Sequence, residues 1–181
     1  MGNRDALREL QSRLAERLQL ARTEERPASW LAVECAGLGL LVPLAGAGEI
    51  FSIGTLLPVP HTQPWFMGVA NLRGGLHGVV DLAAFLGLRA TDILGAARAP
   101  EGARDQARLL ALSPNLAAHS ALMVDRLAGL RSGEQLTAEA DDTAARPGFA
   151  RGRWRDSDGR QWQEIDLAAL ARNEQFLGIA A

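Results

Sequence analysis

The sequence predicts a mainly β protein with short helices, and three observations carry that expectation. Short apolar runs rich in Val, Leu and Ile recur along the chain and are cut by Gly, Pro, Asn or Asp, the pattern of strands joined by tight turns. The 19 glycines and 8 prolines fall largely between those runs, where turns need them. An internal echo links Val80-Asp81-Leu82-Ala83-Ala84-Phe85-Leu86 to Ile165-Asp166-Leu167-Ala168-Ala169-Leu170-Ala171. In each copy a strand runs into an aspartate placed to cap a short helix. A spacing of about eighty residues is too long for a solenoid repeat and fits two related halves. Closed or nearly closed barrels are the usual way for many short strands to hide their edges.

The elements follow in order. Residues 4–22 read as an amphipathic helix, with Leu7, Leu10, Leu14 and Leu18 on one stripe and Asn3 as cap. Pro27 closes helical territory, so residues 1–27 form a helix and linker, and 28–181 form the main domain. An isolated helix of this length is marginal in water, so its leucines must pack on the following domain or on a partner.

Trp30 to Cys35 and Leu38 to Leu44 predict a hairpin, and Glu49 to Ile53 a further strand. Pro58, Pro60 and Pro64 impose an extended passage. Phe66 to Ala70 and Leu76 to Val80 flank the tip Asn71-Leu72-Arg73-Gly74-Gly75, which reads as a tight connection exposing one arginine. Asp81 caps a helix over 82–86 that Gly87 stops, and residues 89–106 are expected to form a loop.

Arg108 to Leu112 and Ala121 to Leu127 are the next strands, with a turn over Asn115 to Ser120. Residues 132–147 read as polar loop. Phe149 to Arg155 and Arg160 to Ile165 are strands around the Asp156-Ser157-Asp158-Gly159 turn, and Asp166 caps a final helix from Leu167 to about Phe176. Gly68-Val69-Ala70 and Leu40 to Leu44 find fainter counterparts in Gly148-Phe149-Ala150 and Leu122 to Arg126.

Composition excludes several function classes. A net charge of −2 exerts no global pull on nucleic acid or acidic membranes. All 19 basic residues are arginine, and no mechanism attaches to that. The single cysteine, Cys35, excludes an internal disulfide. The charged start argues against a secretory signal, and no apolar stretch reaches the roughly 20 residues that span a bilayer. A cytoplasmic location is the expectation.

Catalytic constellations are not apparent. His61, His77 and His119 are scattered without metal-ligand spacing, so no metal is expected. There is no Gly-x-Ser-x-Gly elbow, and Cys35 sits in the apolar alternation Leu31, Val33, Cys35 of a buried strand face. Gly46-Ala47-Gly48 lacks the Lys-Ser/Thr ending of a phosphate loop. No cofactor is expected. The cluster Arg151-Gly152-Arg153-Trp154-Arg155 leaves an alternative open, a small β-barrel that binds a ligand or single-stranded nucleic acid. Its competing reading is a solvated strand face neutralised by Asp156, Asp158 and Glu164.

The stretch Gly68-Val69-Ala70-Asn71-Leu72-Arg73-Gly74, followed by Val79-Val80-Asp81-Leu82, resembles the signature of CheW-like chemotaxis coupling proteins. Gly48-Glu49-Ile50, Val59-Pro60 and Pro64-Trp65 are similar to residues upstream of that signature, and the likeness covers roughly residues 30–180. It implies two small five-stranded β sub-barrels with a shared core; the N-terminal amphipathic helix is additional to the minimal family domain, and the C-terminal helix completes the expected fold.

The resemblance also implies a non-enzymatic adaptor, recruited to receptor arrays. Such an adaptor couples the cytoplasmic tip of a methyl-accepting-type membrane chemoreceptor to the regulatory domain of a CheA-like histidine kinase. It implies receptor or kinase contacts at Arg73 above all. Asn71, Leu72 and Gly74 shape its loop, Glu49 and Gly68 lie nearby, and Val124 and Asp125 match a second-half element. The N-terminal helix and the wording of residues 64–74 resemble the branch serving type IV pilus (twitching) systems. His77 and Gly78 depart from the family, which often has an aliphatic residue and proline there.

Overall fold

A computed structural model describes residues 29–90, 103–140 and 146–181. The amphipathic stretch 4–22, most of the 89–106 loop and residues 141–145 lie outside the described residues. Eleven strands run in chain order: β1 (Trp30–Cys35), β2 (Leu38–Pro43), β3 (Ala47–Ser52), β4 (Phe66–Leu72), β5 (Gly75–Asp81), β6 (Arg108–Leu112), β7 (Ser120–Val124), β8 (Arg126–Arg131), β9 (Leu136–Ala138), β10 (Ala150–Asp156) and β11 (Gln161–Ile165). Among the described residues four one-turn helices accompany them: α1 (Leu82–Phe85), α2 (Ala103–Gln106), α3 (Leu167–Leu170) and α4 (Glu174–Leu177).

The strands form two sheets, in the orders β8-β1-β2-β11-β10-β9 and β3-β6-β7-β5-β4. All neighbours are antiparallel except β2 with β11 and β5 with β7. Exchanging β1 with β6, β2 with β7, β3 with β8, β4 with β10 and β5 with β11 converts one order into the other, apart from β9. Each sheet therefore takes its two leading strands from one half of the chain and the rest from the other, three in the five-stranded sheet and four, with β9, in the six-stranded one. The echo seen in the sequence is this relation. Asp81 and Asp166 cap α1 and α3 alike, accepting from the N–H of Ala84 at 3.1 Å and Ala169 at 2.9 Å.

Leading strands are buried on both faces, which explains their unbroken apolar runs. On one face Leu31, Val33, Cys35, Leu40, Val42, Leu110, Leu112, Leu122 and Val124 build the core between the sheets, completed by Trp65, Phe85, Phe149 and Phe176. The other faces line two smaller interiors. Leu72, Val79, Leu109, Ala121 and Met123 fill that of the five-stranded sheet, and Trp30, Ala32, Leu41, Leu136 and Trp162 that of the six-stranded one.

The expected architecture is observed, with local differences. The six-stranded sheet gains β9 because residues 136–138, read as polar loop, hydrogen-bond along β10 and bury Leu136. The expected strand 121–127 is two strands in different sheets. Asp125 is the corner between them, and β8 runs on to Arg131 along β1. The expected final helix breaks into α3 and α4, because the Asn173 side chain caps the second turn through the Phe176 N–H at 3.1 Å. The expected turn 115–120 opens with a 3-10 turn over Pro114–Leu116.

Candidate interaction site

The β4–β5 hairpin closes with Leu72 opposite Gly75, leaving Arg73 and Gly74 as its two loop residues. Their φ values of +50° and +84° define the doubly left-handed turn that matches strand twist. Gly74 adopts this freely, whereas arginine there costs about 1–2 kcal/mol. The Asn71 carboxamide oxygen holds the turn by accepting the Gly74 N–H at 2.8 Å. Leu72 anchors it from below as a buried residue. Arg73 thus projects from a rigid support with 76% of its side chain exposed.

Its guanidinium meets Glu49 of β3 at 2.9 Å. Because β3 and β4 are opposite edges of the five-stranded sheet, that contact shows that the sheet curls until its edges nearly meet. The seam between them holds a cavity of about 370 Å³, lined by Glu49, Ile50, Phe51, Ser52, Gly54, Thr55 and residues 70–73. In the other sheet β9 takes up the corresponding position beside β10.

Gly68 sits at a bulge in β4 with φ +119°. A Cβ there would lie 2.2 Å from the Leu57 carbonyl oxygen, which accepts from Val69 N–H as residue 57 covers the β4 edge. This glycine lets the preceding extended passage lie against β4. Gly78 donates its N–H to His119 O at 2.9 Å, a ladder bond that a proline there could not make. His77 and His119 stand edge to face beside it, with centroids 6.0 Å apart.

The remaining two expected contact residues lie elsewhere. Val124 is fully buried in the core between the sheets and presents no surface. Asp125 belongs to a clamp that sequence reading did not find. Arg89 donates to the Asp81 carboxylate at 2.9 Å and also ion-pairs with Asp125. Asp125 in turn accepts the Ala36 N–H at 2.7 Å. The clamp ties the end of β5, the β7–β8 corner and the β1–β2 turn together, and so joins both sheets. Asp81 is 1% exposed, and its partner Arg89 is one of three arginines in the expected loop 89–106, with nothing local to single it out.

Burial together with the nearby Asp125 carboxylate pushes the Cys35 thiol up to about 12. On the six-stranded sheet, Glu34 accepts a bidentate Arg126 pair at 3.0 and 2.5 Å and also meets Arg160. The Arg126 hydrogen bonds lead in holding Glu34 below its ordinary value, against some desolvation.

Two of the three arginines of the basic cluster are paired, by other acids than expected. Arg151 pairs with Asp166 and Arg155 with Glu139, each at 2.5 Å, while Asp156 accepts the Trp162 indole N–H at 2.9 Å. Glu164 accepts the indole N–H groups of both Trp30 and Trp154, at 3.1 and 3.0 Å. No cluster of three or more metal-ligating side chains occurs among the described residues. Among them, too, no helix is long and apolar enough to cross a membrane.

The model of the CheW-like domain matches residues 29–175, which span both sheets. The chain belongs to the CheW-like domain family. It is 27% identical over 165 residues to Protein PilI of Pseudomonas aeruginosa, covering 87% of this chain and 84% of that protein. Its fold superposes on the crystal structure of the scaffolding protein TtCheW from Thermoanaerobacter tengcongensis with a TM-score of 0.60, at 17% identity, over 77% of this chain and 88% of that one. Membership of that family makes the chain a coupling scaffold of chemosensory signalling and not an enzyme.

Proposed function

We propose that the protein bridges the cytoplasmic tip of a membrane chemoreceptor to the CheW-like regulatory domain of a CheA-type histidine kinase, in an array that controls type IV pilus motility. One observation carries the contact assignment: a cation held outward, on a strained and hydrogen-bonded turn, beside an open seam. Backbone strain at an exposed polar residue is retained where that residue has work to do. The pilus assignment is supported by the wording of residues 64–74 and by the PilI relative.

In this reading Arg73 and Glu49 form the contact, and Asn71, Leu72, Gly74 and Gly68 shape its support. Asp125 and Val124 act from behind, through the clamp and the core. The scaffold works by fixed geometry, so that a receptor's conformational bias changes the kinase equilibrium without covalent chemistry.

Co-sedimentation of the full chain with receptor-bearing membranes and kinase tests this. Arg73→Glu and Arg73→Gly should both lose assembly. Arg73→Gly should melt no lower than the parent, because glycine relieves the left-handed turn while an exposed ion pair is worth at most about 1 kcal/mol. Normal assembly by either folded variant would remove Arg73 from the interface.

A further inference from the structure

One apolar face remains open where the described chain begins. Ser29 accepts the Leu44 N–H at 3.1 Å, which extends the β1–β2 register by one pair. On the other side of β1, Leu31 is aligned with Leu130 of β8. Strand alternation then puts Ser29, Leu31, Leu44 and Leu130 on one face, that of the core between the sheets. Leu31 is buried, but Leu130 is 63% and Leu44 39% exposed. Among the described residues, nothing covers the core face at the margin from which residues 1–28 depart.

The departing segment carries a matching surface. Leu7, Leu10, Leu14 and Leu18 form a stripe that a helix of this length cannot leave in water and remain stable. The six residues 23–28 reach at most about 20 Å when extended. A helix over 4–22 would be about 28 Å long. The stripe is thus tethered within reach of Leu44 and Leu130, and tethering gives it a high effective concentration there.

We propose that the leucine stripe of residues 4–22 docks in cis on the outer margin of β8, β1 and β2, covering Leu130 and Leu44. The N-terminal segment is then a third layer of the domain, and this margin is closed to other polypeptides while it is seated. The proposal does not depend on which receptor or kinase the protein serves.

Paramagnetic relaxation in the full-length protein tests it. A spin label at Ser12→Cys, on the helix face opposite the leucine stripe, is selective, because the native Cys35 is buried with a raised pKa. Amide signals around Leu130 and Leu44 should be lost, those of the Arg73 turn retained, and the pattern unchanged on dilution. Leu130→Glu, at an exposed position that tolerates charge, should restore the lost signals, as should Leu10→Glu with Leu14→Glu. The proposal is overturned by an unperturbed margin or by broadening at another surface. It is equally overturned by broadening that persists in Leu130→Glu. Broadening that appears only between labelled and isotope-enriched copies would assign the margin to a second copy of the chain.

Discussion

Replacing Arg89 with methionine removes the cation held between two carboxylates while keeping most of the apolar stem. Asp81 is 1% exposed and would retain only the Ala84 N–H at 3.1 Å as a partner. Asp125 is less enclosed and keeps the Ala36 N–H, so its share of the loss is smaller. Stranding one buried carboxylate costs about 3–5 kcal/mol. The lower half of that range is expected here, since one hydrogen bond survives. For a domain of this size it corresponds to a fall in Tm of roughly 6–16 °C.

Urea unfolding followed by tryptophan fluorescence reads the loss directly. Asp81→Asn provides the second edge of a cycle, because its amide oxygen still caps α1 while the charge is gone. The double variant should then be clearly more stable than the sum of the two single losses predicts, with a coupling of at least about 1 kcal/mol. If Arg89→Met lost under about 1 kcal/mol with an unchanged m-value, the clamp would be an ordinary surface pair, and its role in joining the sheets would fall.

Three further outcomes follow from the same coordinates. Gly68→Ala should destabilise by several kcal/mol and loosen residues 56–58, since the methyl meets a carbonyl at 2.2 Å in a left-handed backbone; urea unfolding of a variant within about 1 kcal/mol of the parent would contradict this. Glu34 has a lowered carboxylate pKa, so its contribution is complete above the ordinary value of 4.5 and disappears as pH falls through the lower folded value. Glu34→Gln should therefore be less stable at neutral pH and show a shallower acid limb, measured by Tm against pH. The Cys35 thiol, pushed up to about 12, should resist thiol reagents at pH 8 until the protein unfolds, so that labelling tracks global opening.

Much of the fold was legible because local rules and tertiary packing agreed. The Asp81 and Asp166 caps, the tight connection at the tip 71–75 and the Asp156 to Gly159 turn are set by residues within a few positions of one another. Where reading failed, the deciding partner was distant. β9 looks polar because only Leu136 faces the interior, and nothing nearby shows that β10 offers it an edge. Asp125 looks like one more strand residue, whereas the chain there changes sheets. Arg89 looked like loop because its partners, Asp81 and Asp125, converge only after the halves interleave.

The chain by itself determined a β-rich, twice-echoed domain with an outward arginine and none of the usual catalytic spacings, since period, turn chemistry and caps act over a few residues. Only the tertiary structure decided that each sheet draws on both halves. It alone curls the five-stranded sheet until Glu49 reaches Arg73, and it pairs Arg151 and Arg155 of the basic strand with Asp166 and Glu139. Those outcomes depend on contacts between residues tens of positions apart. Their free energy exists only once the intervening chain has closed around a common core.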